Sequence, residues 1–197
     1  MMRLFGQIYK THTDEELMRA IQSGEVKAFD VLYDRYSTRM VNYFFRRLGD
    51  QDAAQDMLQD LFAKIVEKPH LFDSSRRFST WLFAIASNMC KNEYRRRDIR
   101  KIERPLQDSE LSSDGQVRIN KPDETFAQKE FGEAVFKKLH ELDENKHNTF
   151  LLRFQQQLSI KEISEVLNCS EGTVKSRLFY TIRALADALQ EFNPYMR

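Results

Sequence analysis

A chain of 197 residues, 41% apolar and 31% charged, is long enough for one domain or two small ones. Its 6 Gly and 4 Pro are too few to turn a many-stranded sheet, whereas 15 Phe can fill helical cores, so helix is expected throughout. The 2 Cys, at positions 90 and 169, are too few and too distant for a disulfide framework or a zinc site, and a formal charge of +1 argues against tight DNA binding unaided.

From Met1 to His12 no apolar stretch long enough for a signal peptide develops, and none anywhere reaches the roughly 18 apolar residues of a spanning helix. A reducing cytoplasm is therefore expected, with Cys90 and Cys169 as small buried or half-buried thiols. The first helix starts at Thr13-Asp14-Glu15-Glu16, a cap followed by acids in the first turn, carries Leu17, Ala20 and Ile21 at helical spacing, and stops at Ser23-Gly24. A second carries Phe29, Leu32, Tyr33 and Tyr36, and resumes after a short break through Met40, Tyr43, Phe44 and Leu48 to Gly49-Asp50.

Asp52 is expected to cap the third helix. Ala54, Met57, Leu58, Leu61, Phe62 and Ile65 form its apolar stripe, opposite Asp52, Gln55, Asp56, Gln59, Asp60 and Lys64; Pro69 closes the segment. After the loop at Asp73-Ser74-Ser75, a long helix runs from about Ser79 to Arg97 with Trp81, Leu82, Ile85, Ala86 and Met89 inward. Seven basic and three acidic residues lie between 91 and 104, a local basic cluster. From Pro105 to about Thr125 the chain is polar, acidic and aperiodic, which reads as a flexible linker.

The second module opens with a helix from about Phe126 to Leu142, inward at Phe131, Val135 and Leu139, followed by Asn148 to Phe154. Ser159 then caps a two-turn helix, Ile160 to Leu167, whose inward residues are Ile160, Ile163 and Leu167. Asn168-Cys169-Ser170 makes a three-residue turn, because Asn tolerates the left-handed conformation and Ser caps the next helix. Val174 and Leu178 of that helix pack back, leaving Thr173, Lys175, Ser176, Arg177 and Tyr180 outward. This is a helix-turn-helix, whose second helix presents hydroxyls and long cations to base edges. An ordinary helical hairpin with a solvated face shares the pattern.

Three strings resemble the extracytoplasmic-function sigma factors, small two-domain promoter-recognition subunits of bacterial RNA polymerase. Asp52 to Phe62 is similar to the helix that binds core polymerase, Phe78 to Asn88 to the −10 element helix, and Leu158 to Leu178 to the −35-reading module. The resemblance spans about Asp14 to Leu189. It implies an all-α fold of two small helical domains joined by a flexible linker: a region 2-like domain at 1–97, a linker at 98–125 and a region 4-like domain at 126–190.

It also implies site residues. Core polymerase would meet Asp52, Gln55, Asp56, Gln59 and Asp60, with Phe62 buried behind them. The −10 element would meet a base pocket in the loop Phe72 to Ser79, with Arg76, Arg77, Phe78 and Ser79, and then Asn88, Lys91, Asn92, Arg95 and Arg96 along the helix. Core packing is the competing reading for Phe78, Trp81 and Phe83, and is preferred for Trp81. The −35 element would meet Ser170, Glu171, Thr173, Lys175, Ser176, Arg177 and Tyr180. Two departures from the family predict fewer phosphate contacts: Ala84 and Ser87 stand where Arg is common, and Phe179-Tyr180-Thr181-Ile182 where basic residues are.

The resemblance further implies core RNA polymerase, promoter DNA and an anti-sigma factor as partners, a monomer outside the complex, no membrane insertion and no cofactor. A metal held by Asp52, Asp56 and Asp60 would lack converging ligands. An enzyme is not expected, because His12, His70, His140 and His147 are scattered and no Gly-rich phosphate loop or nucleophile elbow appears. The alternative is a stand-alone regulator that dimerises on palindromic half-sites.

Overall fold

Every regular element among the described residues is helical. The structure, a computed structural model, describes residues 9–103 and 126–192. The chain divides into two compact units, Met1–Ser112 and Ser113–Arg197. The expected linker residues 104–125 lie outside the described residues.

Helix α1, Asp14–Gln22, starts on a capping box in which Thr13 Oγ1 accepts from Glu16 N–H at 3.2 Å and Glu16 Oε2 accepts from Thr13 N–H at 2.7 Å. The Thr13 bonds hold the Glu16 carboxyl below its ordinary range. Helix α2, Val26–Leu48, is unbroken, in contrast to the break expected within it. Ser37 and Thr38 cost a helix only about 0.5 kcal/mol each. That is small beside burial of Leu32, Tyr36, Met40, Tyr43 and Phe44 along one stripe, each large apolar side chain contributing about 1.5–3 kcal/mol. Gly49, at φ 68°, ends it.

Helix α3, Gln51–Glu67, is capped by Asp50 and not by Asp52: Asp50 Oδ1 accepts from Ala53 N–H at 3.0 Å. A cap must lie just outside the helix, and the chain leaving Gly49 places Asp50 there, which moves Asp52 into the first turn. Helix α4 spans Phe78–Glu103, six residues beyond the expected end at Arg97. The turn that precedes this extension is pinned to the end of α2. The Tyr94 hydroxyl donates to the Arg47 carbonyl, Arg97 Nη1 donates to the Leu48 carbonyl at 3.0 Å, and Arg97 Nη2 reaches Asp50 Oδ2 at 3.3 Å.

The buried stripe of α4 is Phe78, Leu82, Phe83, Ala86 and Cys90, while Trp81, Ile85 and Met89 flank it half-buried. The expected stripe was centred one residue too far round. Phe83 turns it inward, its ring edge-to-face with Tyr43 at 5.4 Å.

The second unit holds α5 (Phe126–Glu141), α6 (Glu144–Phe150), α7 (Ile160–Leu167) and α8 (Glu171–Ala188). Asp143 caps α6 four residues earlier than expected, accepting from the N–H groups of Asn145 and Lys146. The helix then widens into a π-helical turn, Leu151–Gln155. Leu139, Leu152, Ile163, Val166, Val174 and Leu178 form the core. Phe131, expected inward, is 44% exposed and meets Phe192 edge-on at 5.5 Å. No described helix is long and apolar enough to cross a membrane.

Candidate nucleic-acid interface

The residues between α3 and α4 form an arch whose local geometry is set by Asp73. Its Oδ1 accepts from the Ser75 N–H at 3.0 Å and the Ser75 hydroxyl at 2.8 Å, and the Arg76 N–H donates to its carbonyl at 3.0 Å. Those Ser75 bonds, and the Arg76 guanidinium, hold the Asp73 carboxyl below its ordinary range. Arg76 and Arg77 are exposed at the top of the arch. Beneath them Ser74, Ser75, Ser79 and the two α1 acids Asp14 and Glu15 line a depression. The two guanidinium groups and the serine hydroxyls suit a phosphodiester strand with an unstacked base, while Asp14 is paired with Arg35 and Glu15 with the Phe78 N–H.

Phe78, expected at this surface, is instead fully buried, in edge contact with Tyr36 at 5.3 Å and Phe72 at 5.8 Å. Its side chain anchors the arch from below. Trp81 is half-buried against Phe72 at 5.2 Å, as the packing reading of that residue has it. Ser79 is half-buried and Asn88, Lys91, Asn92, Arg95 and Arg96 are exposed along α4. The departure residues Ala84 and Ser87 are half-buried and buried.

On α3 the polar residues Asp52, Gln55, Asp56, Gln59 and Asp60 are all exposed on one face. The opposite face, Ala54, Met57, Leu58, Leu61, Phe62 and Ile65, is buried against its neighbours. Phe62 closes an aromatic group with Phe29 at 5.8 Å and Tyr33 at 4.8 Å. The α3 surface is therefore a carboxylate and amide strip on a rigid base.

In the second unit α7 opens with a full capping box: Ser159 Oγ accepts from Glu162 N–H, and Glu162 Oε2 accepts from Ser159 N–H at 2.8 Å. Asn168 is left-handed at φ 47°, and Ser170 caps α8, accepting from Thr173 N–H at 3.1 Å. Of the expected outward residues, Ser170, Glu171, Lys175, Ser176 and Tyr180 are exposed. Thr173 and Arg177 are half-buried. The Thr173 hydroxyl shares a 2.9 Å bond with Ser170 Oγ, and Arg177 Nη1 lies 3.7 Å from Cys169 Sγ. Lys175 faces Glu171 at 4.0 Å.

The four histidines are less scattered than the sequence suggests, since His140 and His147 meet ring to ring at 4.8 Å. Among the described residues no group of three or more His, Cys, Asp or Glu could hold a metal ion. Asp14, Glu15 and Gln22 of α1 were not expected at the arch. The only sequence signal of Asp14 and Glu15, acids in a first helical turn, is explained equally well by the helix dipole, and Gln22 carries none.

Two family descriptions match the chain: Sigma-70 region 2 over residues 32–99 and Sigma-70, region 4 over residues 133–185. The chain is 30% identical over 181 residues to the RNA polymerase sigma-H factor of Pseudomonas aeruginosa, covering 90% of this chain and 94% of that one. It is 28% identical over 186 residues to the ECF RNA polymerase sigma-E factor of Haemophilus influenzae, covering 90% and 96%. In fold it resembles the sigma factor RpoE of Bartonella quintana, solved in complex with the anti-sigma factor NepR, with a TM-score of 0.70 at 19% identity over 83% of this chain and 98% of that one. It also resembles CnrH, solved in complex with the cytosolic domain of CnrY, with a TM-score of 0.68 at 23% identity over 91% and 99%.

Proposed function

The chain belongs to the ECF sigma factors of RNA polymerase, transcription initiation factors, and on that premise we propose how its surfaces divide the work. The first unit docks core polymerase through the exposed strip Asp52, Gln55, Asp56, Gln59 and Asp60. It captures the opened −10 element with Arg76, Arg77 and Ser79 of the arch, and tracks the strand with Asn88, Lys91, Asn92, Arg95 and Arg96. Phe78 supports that surface from the core without touching DNA. The second unit reads the −35 element with the start of α8: Ser170, Glu171, Thr173, Lys175, Ser176, Arg177 and Tyr180.

Core RNA polymerase and promoter DNA are thus the partners, in the cytoplasm, with the chain monomeric outside the complex and without an enzymatic activity of its own. The fold relatives solved with anti-sigma partners support a partner of that kind here. A formal charge of +1 suits a subunit that meets promoters within a larger complex, since phosphate neutralisation by the free chain is small.

The observation that carries this reading is the α3 strip, with five polar side chains exposed on one face and an apolar face buried behind them. Reversing Asp56 and Asp60 to Lys should abolish co-purification with core polymerase while leaving the helical circular dichroism unchanged. Undiminished co-purification would place the docking face elsewhere.

A further inference from the structure

Helix α1 lies upstream of the residues that match Sigma-70 region 2, yet it holds both ends of the arch. At the near end Gln22 Nε2 donates to the carbonyls of Pro69 and Phe72, each at 2.9 Å. At the far end Glu15 Oε1 accepts from the Phe78 N–H at 2.8 Å, in a part-buried bond. The second contact answers a specific need. Phe78 opens α4, so its N–H has no partner within the helix, and an N-cap side chain at Arg77 would serve the next residues of the first turn and not this one. Glu15, 63 residues away, supplies the missing acceptor and places a carboxylate at the positive end of the α4 dipole.

Helix α1 is itself fixed. Leu17 and Met18 are fully buried, and Asp14 takes Arg35 Nη1 at 2.6 Å and the Tyr36 hydroxyl at 2.5 Å. Residues 73–77 therefore span two posts on one rigid element. Packing alone does not ask for this arrangement: Leu17 and Met18 supply the apolar contact of α1, whereas Glu15 and Gln22 reach backbone groups at the ends of the arch.

We infer that Glu15 and Gln22 are positioning residues for −10 capture, holding the arch so that Arg76 and Arg77 meet the opened strand in a single geometry. The inference rests on the reading of the arch as the −10 loop. Because a displacement of about 1 Å in a positioning group can cost up to about a hundredfold in rate, two backbone clamps are enough to matter.

The test uses holoenzyme reconstituted from core polymerase and the full chain, on promoters with 2-aminopurine in the −10 element and on every single-base −10 variant. Glu15→Ala and Gln22→Ala should each slow opening by about tenfold and flatten the preference among −10 bases, with core affinity unchanged. Glu15→Gln keeps a carbonyl oxygen for the Phe78 N–H and should recover opening to within about threefold of the parent, since a neutral bond is roughly half as strong as a charged one. Parent-like opening and base preference in both alanine variants would overturn the inference. So would an equal slowing on all −10 sequences accompanied by weaker core binding, which is what a purely structural role predicts. Arg76→Ala and Arg77→Ala separate the levels. If they slow opening and the clamp variants do not, the clamp alone fails; if none of the four does, the arch is not the −10 loop.

Discussion

Arg177, proposed above as a −35 reader, is half-buried and leans on Cys169 in the turn. Five donors in a planar fork allow one to rest on sulfur while others reach a base edge. Arg177→Ala should therefore weaken binding of holoenzyme to its preferred −35 sequence by about 1–3 kcal/mol in a fluorescence titration, and relax preference at one base pair. An equal loss on every −35 sequence would make it a phosphate contact. Gln157 is a different residue-scale case, held at φ 58° between the π-turn and the Ser159 cap. A side chain in the left-handed region costs about 1–2 kcal/mol, partly offset by the extra freedom glycine has when unfolded. Gln157→Gly should raise stability by about 0.5–1 kcal/mol, read as a higher thermal midpoint of the second unit. A lower midpoint would mean that the glutamine side chain is worth more than its strain. The other non-glycine residue in that region among the described ones, Asn168, was legible in the sequence because Asn commonly accepts that conformation. Nothing in a glutamine announces it.

At the scale of elements, periodicity located the helices well, and tertiary contacts account for where it erred. The continuity of α2 through Ser37-Thr38 comes from burial on both sides of that pair. Tyr94 and Arg97 tie α4 to the end of α2, and the helix continues from that anchored turn to Glu103. Both depend on residues far apart in sequence, so no local signal carries them. The caps were more readable: Thr13, Ser159 and Ser170 cap where hydroxyl residues precede amphipathic runs, whereas Asp52 was misplaced by two residues and the Asp143 cap of α6 went unread. Ser159→Ala should remove one half of the α7 capping box and cost about 1 kcal/mol in chemical denaturation of the second unit, with the denaturant slope unchanged. No loss at all would show that the Glu162 half suffices. The candidate surfaces divide in the same way. The α3 strip and the start of α8 follow from helical spacing and were readable, whereas the role of α1 at the arch required two segments 63 residues apart to be brought together.

At the scale of the whole molecule, the bipartite plan explains the charge. A protein that gripped duplex DNA alone would need an excess of cations, and this one has a net charge of +1. Basic side chains cluster instead at the arch (Arg76, Arg77) and along α4 (Lys91, Arg95, Arg96), while α3 exposes the acids Asp52, Asp56 and Asp60 on the face proposed for core polymerase. Two helical units with such unlike surfaces make sense when polymerase supplies most of the affinity and the chain supplies the choice of promoter. The direct measurement is run-off transcription with purified chain, core polymerase and a promoter library. Promoter-specific transcripts should appear only when chain and core are both present, with the chain alone leaving duplex promoters unprotected at physiological salt. No promoter-specific transcript, together with a tight footprint by the chain alone, would contradict the account.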